Sequence, residues 1–305
     1  MSAEQQAIRW SDKTIAVVGG DEREQEIARL AATTGAAVKA YGFPWPETGI
    51  EGVKLVATAE QAFEGAHFAL FPIPGISAEG ALFAPAASSP IVPTTELLRL
   101  MQPQAHIILG WGDDRLKAAA KTLGITLHEY EWDEDLMLLR GPAIVEGLLK
   151  VLIENTRITI HRARVGVVGQ GTIGFLLTRY LVALGAHVHV FARNPVQRAA
   201  AIAANAQAYE LGDLRAAIPE LDIVLSTVPA RVIGEHELAA ARNRPLLVDL
   251  AAPPGGIDFD YARANGFQAI WARGLGRRAP ITVGQSQWSG IRPRLEKILL
   301  ATSQH

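Results

Sequence analysis

Short apolar runs alternate with longer amphipathic stretches along almost the whole chain. Runs of four to eight apolar residues predict buried strands, and apolar residues at helical spacing between them predict helices. This alternation is typical of a doubly wound α/β fold. In the first half we predict strands at Thr14–Val18, Ala37–Tyr41, Lys54–Val56, His67–Phe71, His106–Leu109 and Thr126–Glu129. We predict helices there at Glu24–Thr34, Thr95–Met101 and Asp114–Leu123.

The same pattern occurs twice. VVGGDEREQEIARLAATTGAAVKAYGF (Val17–Phe43) and VVGQGTIGFLLTRYLVALGAHVHVFAR (Val167–Arg193) align at an offset of 150 residues. Both predict a strand, a glycine turn, a helix ended by glycine and a second strand. The sequence therefore predicts two Rossmann-like, doubly wound parallel-sheet domains with a deep cleft between them.

The domain boundaries follow from the repeat. We expect an N-terminal substrate or partner domain at residues 1–140 and a nucleotide-binding domain at residues 141–284. A helix predicted at Pro142–Asn155 connects them, and the C-terminal helix of residues 285–305 is expected to pack back on the first domain. The Pro-, Gly- and Ser-rich stretch Pro72–Glu96 predicts a long surface loop.

The second copy carries a complete dinucleotide-binding turn, GQGTIG, between a predicted strand and helix. The first glycine permits the tight turn, the second admits a pyrophosphate, and the third lets the helix pack on the strand. The segment STVPA ends a later strand at the same edge of the sheet. We predict cofactor contacts from Gly169, Gln170, Gly171, Thr172, Ile173, Gly174, Arg193, Asn194, Thr227, Val228 and Pro229.

The end of the second strand of this copy indicates which cofactor binds. An NAD site usually places Asp or Glu there for the ribose 2′-hydroxyl, whereas an arginine accommodates a 2′-phosphate. This chain has Arg193 there, with Arg198 close by and no acid. We predict NADP, with NAD as the alternative.

The first copy departs from the motif. Asp21 stands where Gly171 does, and Glu24 stands where Gly174 does, so a carboxylate would face the pyrophosphate. We predict that this copy holds no dinucleotide and instead binds a small carboxylate substrate through its helix N-terminus and Arg23. The alternative is a purely structural repeat. The predicted substrate contacts are Gly20, Asp21, Arg23, Pro74, Gly75, Gly255, Gly256 and Arg277.

Three residues are candidates for catalysis, each with a structural alternative. Glu146 on the connecting helix could equally form a structural hydrogen bond. His161 is more typical of a turn histidine than of a catalyst. Asp249, at the end of LLVD, could bind a ribose or order the following PPGGID.

Composition narrows the function classes. The net charge is −2, which indicates neither a basic surface for nucleic acid nor an acidic tail that binds counter-ions. The chain has no cysteine, which excludes disulfides, zinc–thiolate sites, iron–sulfur clusters and thiol nucleophiles. No apolar run approaches the roughly 20 residues that cross a bilayer. We expect a cytoplasmic homo-oligomer that binds no metal, nucleic acid or membrane.

Several longer segments point to a family. VVGGDEREQEIARL, FPIPGISAEG, PAIVEGLLKVLIENTRITIH, DIVLSTVPA and LVDLAAPPGGIDFDYARANGFQAIWARGLG, together with the glycine-turn segment, resemble the family of the dipicolinate synthase A subunit. The resemblance implies NADP-dependent oxidation of dihydrodipicolinate, or its hydrated precursor, to dipicolinate. It also implies a fold like that of alanine dehydrogenase and, as partner, a flavodoxin-like B subunit.

The chain departs from the family pattern in a loop expected near the nicotinamide. It has Arg273 where the family has proline, one residue fewer in RGLGRRAPITVGQ, and Ile281 where the family has lysine. It also reads His161-Arg162-Ala163 where the family has a sequence like HGS. Two alternatives therefore stay open: a related dehydrogenase of another amino or imino acid, and a non-catalytic nucleotide-binding partner subunit.

Overall fold

The structure, a computed structural model, describes residues 8–73 and 75–302. Contacts between residues divide it into two compact units. Unit 1 contains the described residues up to Arg140 and those from Ala279 onward, and unit 2 contains Gly141–Arg278. The helix that contains Arg140 and Gly141 therefore belongs partly to each unit.

Unit 1 is built on a six-stranded parallel sheet with the order β3-β2-β1-β4-β5-β6. Its strands are β1 Thr14–Val18, β2 Ala37–Tyr41, β3 Val53–Leu55, β4 Phe68–Leu70, β5 His106–Leu109 and β6 Thr126–Glu129. Its helices are α1 Glu22–Ala32, α2 Ala59–Phe63, α3 Thr95–Leu98 and α4 Asp114–Leu123; the chain then enters α5, Glu134–Asn155.

Unit 2 repeats the plan, with the strand order β12-β11-β10-β7-β8-β9, again all parallel. Its strands are β7 Arg164–Val168, β8 His187–Phe191, β9 Gln207–Tyr209, β10 Ile223–Ser226, β11 Leu246–Asp249 and β12 Ala269–Trp271. Its helices are α6 Thr172–Ala183, α7 Pro195–Ala203, α8 Leu214–Ala217, α9 Glu235–Leu238 and α10 Phe259–Ala264. Short 3-10 turns lie at Leu211–Asp213, Ile218–Glu220 and Leu275–Arg278.

The last helix, α11 (Pro280–Thr302), belongs to unit 1 and packs along α1. Its apolar residues Trp288, Ile291 and Leu295 are buried in one cluster with Ile27 of α1. Burying a side chain of this size contributes about 2 kcal/mol. Gly284 lets the two helices approach, since a Cβ there would lie 2.7 Å from a backbone oxygen of α1.

Two sheets of six parallel strands with helices on both faces confirm the predicted fold class. Both sheets are buried between helix layers, which explains why their central strands are continuous apolar runs. In β1, for example, Ile15–Val18 are buried throughout.

Some predicted boundaries are wrong. Helix α5 begins at Glu134, eight residues before the predicted start at Pro142, and continues through that proline. Proline is favoured in the first turn of a helix, and for this reason the predicted start of α5 was placed at Pro142. Helix α11 begins at Pro280 and not at Gln285, and α2 was not predicted.

The Pro-, Gly- and Ser-rich loop is more buried than the predicted surface loop. Its described part has no helix or strand before Thr95, apart from an isolated bridge between Ile76 and Leu82. Both bridge residues and Ile91 are nevertheless buried against the sheet. This loop therefore covers the carboxyl edge of the unit 1 sheet. None of the described helices is long and apolar enough to span a bilayer.

Candidate functional site

The glycine turn of unit 2 joins β7 to α6 and depends on the absence of side chains at two positions. Gly169 has a φ of +94°, and a Cβ there would lie 2.5 Å from Thr227 Oγ1. A Cβ on Gly174 would collide with the carbonyl oxygen of Gly169. Both glycines therefore allow the first turn of α6 to pack directly on β7 and on the residue after β10.

Gly171 has a different role. It is the N-cap of α6, no side chain caps the helix there, and no described atom lies within 4 Å of where its Cβ would be. The first N–H groups of the helix are thus not capped by a protein side chain. Such a helix N-terminus carries partial positive charge and binds anions.

A cavity of about 370 Å³ opens beside this turn. It brings together the ends of β7, β8 and β10. The residues that line it are Gly169, Gln170, Gly171, Phe191, Ala192, Arg193, Asn194, Gln197, Leu211, Thr227, Val228 and Pro229. Eight predicted cofactor residues are in this set, and the other three, Thr172, Ile173 and Gly174, form the first turn of α6.

Four lining residues were not among the predicted contacts: Phe191 and Ala192, which directly precede Arg193, and Gln197 and Leu211. Gln197 lies on α7, and Leu211 begins a 3-10 turn after β9. Neither belongs to a motif, so only the packing of these elements beside the cavity reveals them. Gln170 was predicted, but its side chain is buried and accepts a hydrogen bond from Thr178 at 3.0 Å. Its backbone, not its amide side chain, is what the cavity can use.

The turn after β8 presents one cation. Arg193 is exposed, and its side chain makes no hydrogen bond or ion pair with any described residue. Asn194 caps α7 by accepting from the backbone N–H of Val196 at 2.9 Å. Arg198 donates to the carbonyl oxygens of Ala192 and Arg193 at 2.9 and 2.8 Å. Arg198 therefore holds this turn in place, and Arg193 is left facing the cavity.

These residues fit a dinucleotide. Two glycines, the uncapped N-terminus of α6 and the exposed residue Arg193 all line this one cavity. Phosphates need such donors, and a glycine turn allows the backbone to approach them.

The corresponding turn of unit 1 is closed by its own atoms. Gly20 N donates to Phe83 O at 2.6 Å, and Asp21 N donates to Glu24 Oε2 at 2.7 Å. Asp21 caps α1, and its carboxylate accepts from the backbone N–H of Arg23 at 3.2 Å. The donors that bind an anion in such a turn are thus occupied within the protein.

Glu24 is buried at the centre of this arrangement. Burial raises its pKa to about 8, and the charge of Arg23 opposes the shift. Its Oε1 has no hydrogen-bond partner among the described residues. At neutral pH the carboxyl is therefore mostly protonated, because an ion here would lose its hydration.

The availability of Arg23 to a ligand is not supported by these contacts. Its guanidinium binds Asp21 through two hydrogen bonds of 2.7 and 3.0 Å and donates to Ile73 O at 3.0 Å, and its side chain is buried. Gly75 is a close-approach position, since a Cβ there would lie 2.6 Å from Trp111 O. Pro74 lies outside the described residues.

Asp249 orders a loop of unit 2. Its two oxygens accept hydrogen bonds from the N–H groups of Ala251, Gly256 and Ile257 at 2.9, 2.6 and 3.1 Å. Burial raises its pKa, and these three bonds oppose the shift. Of the two predicted roles, these contacts support the structural one. Gly255 has a φ of +82° and sits directly beside the carboxylate.

The other two catalytic candidates are also engaged. Glu146 forms an ion pair with Arg278, which follows β12. His161 Nδ1 lies 3.3 Å from Leu184 O, at the C-terminal end of α6 and the amino edge of the sheet. The glycine turn lies at the opposite, carboxyl edge, about 15 Å away along β7. The structure therefore does not bring His161 to the cavity.

Arg277 lies in the 3-10 turn after β12. Its N–H donates to Gly274 O at 3.0 Å, and its Nε lies 3.1 Å from where a Cβ on Gly274 would be. No group of three or more acidic, histidine or cysteine residues suited to a metal occurs in residues 8–73 and 75–302.

Fold and site define a dehydrogenase-like oxidoreductase whose second unit is of the type that binds a nicotinamide dinucleotide. Residues 152–268 match the model of the shikimate/quinate 5-dehydrogenase family. Residues 14–131 match the model of the N-terminal domain of the dipicolinate synthase A subunit.

The chain belongs to the family of the dipicolinate synthase A subunit. It is 30% identical to the dipicolinate synthase A subunit of Bacillus subtilis over 277 residues, 89% of this chain and 92% of that protein. The crystal structure of the dipicolinate synthase A subunit from Bacillus halodurans superimposes with a TM-score of 0.86 at 28% identity. That match covers 95% of this chain and 98% of the other.

The expected likeness to alanine dehydrogenase is confirmed at the level of the fold. A structure of L-alanine dehydrogenase gives a TM-score of 0.61 at 16% identity, over 93% of this chain and 89% of that one.

Proposed function

We propose that this protein oxidises dihydrodipicolinate, or its hydrated precursor, to dipicolinate with NADP, as the A subunit of a synthase with a flavodoxin-like B subunit. Membership of the family supports the reaction. We also propose that the protein is cytoplasmic, that it forms a homo-oligomer and that it works together with the B subunit.

The preference for NADP depends on one observation. Arg193 is exposed on the cavity, and none of the described residues that line this cavity is Asp or Glu. A ribose 2′-hydroxyl is usually bound by a carboxylate, whereas a 2′-phosphate needs a cation. Arg193 supplies the cation, and its turn is held by Arg198.

The reaction balances as a two-electron oxidation. Dihydrodipicolinate loses one hydride and one proton, and its ring becomes an aromatic pyridine. NADP⁺ held in the cavity would supply the hydride acceptor for this oxidation. For the hydrated precursor, loss of one water molecule accompanies the same change.

The chain's own residues supply binding and orientation. The N–H groups at the start of α6 would hold the pyrophosphate, and Gly171 leaves room for it. Thr227, after β10, fixes the turn by donating to Gly169 O at 3.2 Å. Aromatisation is strongly downhill, so the proton can leave to water without a tuned base. The engagement of Glu146 and Asp249 in other contacts agrees with this.

A second candidate is a related dehydrogenase of another amino or imino acid. The altered segment after β12 favours it, since Arg273, Arg277 and Arg278 occur there within six residues. This segment follows a strand at the carboxyl edge of the sheet, where substrates of this fold class meet the cofactor.

The test is a product assay with the purified full chain. Dihydrodipicolinate and NADP are mixed with it, with and without the cognate B subunit. Reduced cofactor is followed at the nicotinamide absorbance, and the pyridine product at its ultraviolet band. We expect both signals to rise together in equal amounts.

The outcomes separate the alternatives. Product from this chain alone would exclude a non-catalytic role. No product even with the B subunit, together with turnover of another cyclic imine or amino acid, would replace the proposed reaction by the second candidate. Repeating the assay with NAD measures the cofactor preference directly.

A further inference from the structure

An aromatic stack ends in an arginine at the carboxyl edge of the unit 2 sheet. Trp271 closes β12 and stacks on Phe259 of α10, with ring centroids 5.5 Å apart and 16° between the planes. Its Nε1 donates to Ala251 O at 3.0 Å. On this fixed platform the guanidinium of Arg273 lies 5.8 Å from the Trp271 ring centroid.

The exposed guanidinium of Arg273 forms no ion pair with an acidic residue in the described part of the chain. It makes no hydrogen bond or ion pair with any residue that the structure describes. The positive charge of Arg273 acts to lower the pKa of the Asp249 carboxyl. However, the oxygens of Asp249 already accept three backbone hydrogen bonds, and no ion pair forms between the two side chains.

Stacking on the indole ring leaves the N–H donors of the guanidinium free to bind a ligand. A guanidinium that meets an indole face keeps its N–H donors in its own plane, where two of them can bind both oxygens of a carboxylate. Gly274, with a φ of +67°, turns the chain immediately after Arg273. The guanidinium therefore lies at the end of β12, on the stacked rings, with its donors exposed.

The sheet order places this arginine at the end opposite to Arg193. Arg193 follows β8, the glycine turn follows β7, and Arg273 follows β12, with β10 and β11 in between. A dinucleotide whose adenosine meets Arg193 and whose phosphates meet α6 directs its other half towards β10 and β11. At about 4.8 Å per strand, the end of β12 is roughly 10 Å beyond that of β10.

We propose that Arg273, presented by the Trp271–Phe259 stack, binds one carboxylate of the small diacid substrate beside the nicotinamide half of the cofactor. The inference rests on the proposed function and adds a substrate-binding residue to it. The ligand class is a planar ring acid with two carboxylates.

Binding of pyridine acids tests the assignment without turnover. Isothermal titration of the NADP-loaded full chain is carried out with pyridine-2,6-dicarboxylate and with pyridine-2-carboxylate, in metal-free buffer. We expect the wild-type chain to prefer the diacid. In the Arg273→Ala variant the affinity for the diacid should fall about 10-fold, while that for the monoacid changes little, so the preference disappears.

The chain offers a matched control. Arg263 lies over the other ring of the same stack, 5.5 Å from the Phe259 centroid, and is also exposed. The Arg263→Ala variant should keep the diacid preference, and the Arg273→Lys variant should keep part of it. NADP affinity, measured by the same titration, should be the same in all three variants.

The same variants separate this inference from the proposed function. If the wild-type chain forms dipicolinate and the Arg273→Ala variant keeps both its diacid preference and its KM, the assignment of Arg273 is overturned alone. An equal loss in the Arg263→Ala variant overturns it as well. If the wild-type chain neither binds the diacid nor forms dipicolinate, the proposed function fails and this inference fails with it. A rise in KM with little change in kcat in the Arg273→Ala variant supports it.

Discussion

The two glycine turns of this protein have the same backbone plan and opposite surroundings. In unit 2 the turn meets a cavity of about 370 Å³, and no side chain caps the helix that follows. In unit 1 the carboxyl of Glu24 and the carbonyl of Phe83 accept hydrogen bonds from the turn itself. One duplicated scaffold thus provides an open anion site in one copy and an internally satisfied turn in the other.

The difference shows how few residues decide whether such a turn binds a nucleotide. Backbone N–H groups at a helix start need acceptors. Where Gly171 and Gly174 stand, the acceptors have to come from a ligand. Where Asp21 and Glu24 stand, the acceptors are part of the chain. The side chain of Glu24 also fills the space next to Gly20, so there is no room for a phosphate.

The largest effect should come from introducing into the unit 2 turn the carboxylate that unit 1 has at Asp21. The Gly171→Asp variant places a carboxylate against the pyrophosphate, and like charges at such a distance cost several kcal/mol. We expect NADP affinity to fall about 100-fold or more, measured by quenching of protein fluorescence or by titration calorimetry. The site of the new Cβ is open, so the fold should be retained.

The Gly171→Asn variant is the control for size. It has nearly the same volume as the Asp variant and no charge, so its loss of affinity should be much smaller. Equal losses in both variants would show that space, and not charge, governs this turn.

The next largest effect concerns Arg193, where unit 1 has Phe43 at the corresponding position. In the Arg193→Ala variant we expect NADP affinity to fall about 30-fold and NAD affinity to change little, because hydrogen bonds to charged groups contribute about 2 kcal/mol. Titration with each cofactor measures both. Arg179, an exposed arginine on the far part of α6, gives the control variant Arg179→Ala. Equal losses for the two cofactors would contradict the preference for NADP.

The closed turn should give unit 1 a pH-dependent stability. The pKa of Glu24 is raised from 4.5 to about 8, so between these values the folded state binds more protons than the unfolded state. Its contribution is complete below about pH 4.5 and is lost as the pH rises to about 8, at roughly 1.4 kcal/mol per pH unit. The Glu24→Gln variant should lack this slope in urea unfolding followed from pH 5 to pH 8.

Glu22 provides the comparison, since its side chain is exposed on the same turn of α1. The Glu22→Gln variant should follow the wild-type pH profile. If the Glu24→Gln variant follows it too, the buried carboxyl is not protonated in the folded state.

The smallest effects should come from the helix caps. Asp113 caps α4 in unit 1 by accepting from Leu116 N at 2.9 Å, and Asn194 caps α7 in unit 2. Replacing either by alanine should cost about 1 kcal/mol, seen as faster amide hydrogen exchange in the helix concerned. Only the Asn194→Ala variant should also weaken NADP, since only Asn194 lines the cavity. Weakened NADP in the Asp113→Ala variant would contradict this separation.

Much of the fold could be predicted because its signals are local. The strands Thr14–Val18, Ala37–Tyr41, His106–Leu109 and Thr126–Glu129 have the predicted bounds. The first three bury apolar residues between turn residues, and the fourth, at the edge of the sheet, pairs along β5. Helix α5 was predicted too short, because Pro142 resembles a helix start but lies inside the helix.

The candidate site divides in the same way. The glycine turn, Arg193 and the residues after β10 lie on one cavity because a parallel sheet brings the carboxyl ends of its strands to one edge. Gln197 and Leu211 carry no motif, and the engagement of Arg23 could not be predicted, since one of its partners is the carbonyl of Ile73, fifty residues away.

By itself the sequence determined the duplication, the order of strands and helices, and the copy in which glycines leave room for phosphates. These properties depend on residues within a few positions of one another, which set backbone conformation and periodicity directly. Tertiary structure alone decided that Asp249 holds a loop, that Glu146 pairs with Arg278, and that Arg273 stacks on Trp271. Whether a charged side chain serves the fold or a ligand depends on which partners packing brings within hydrogen-bond distance.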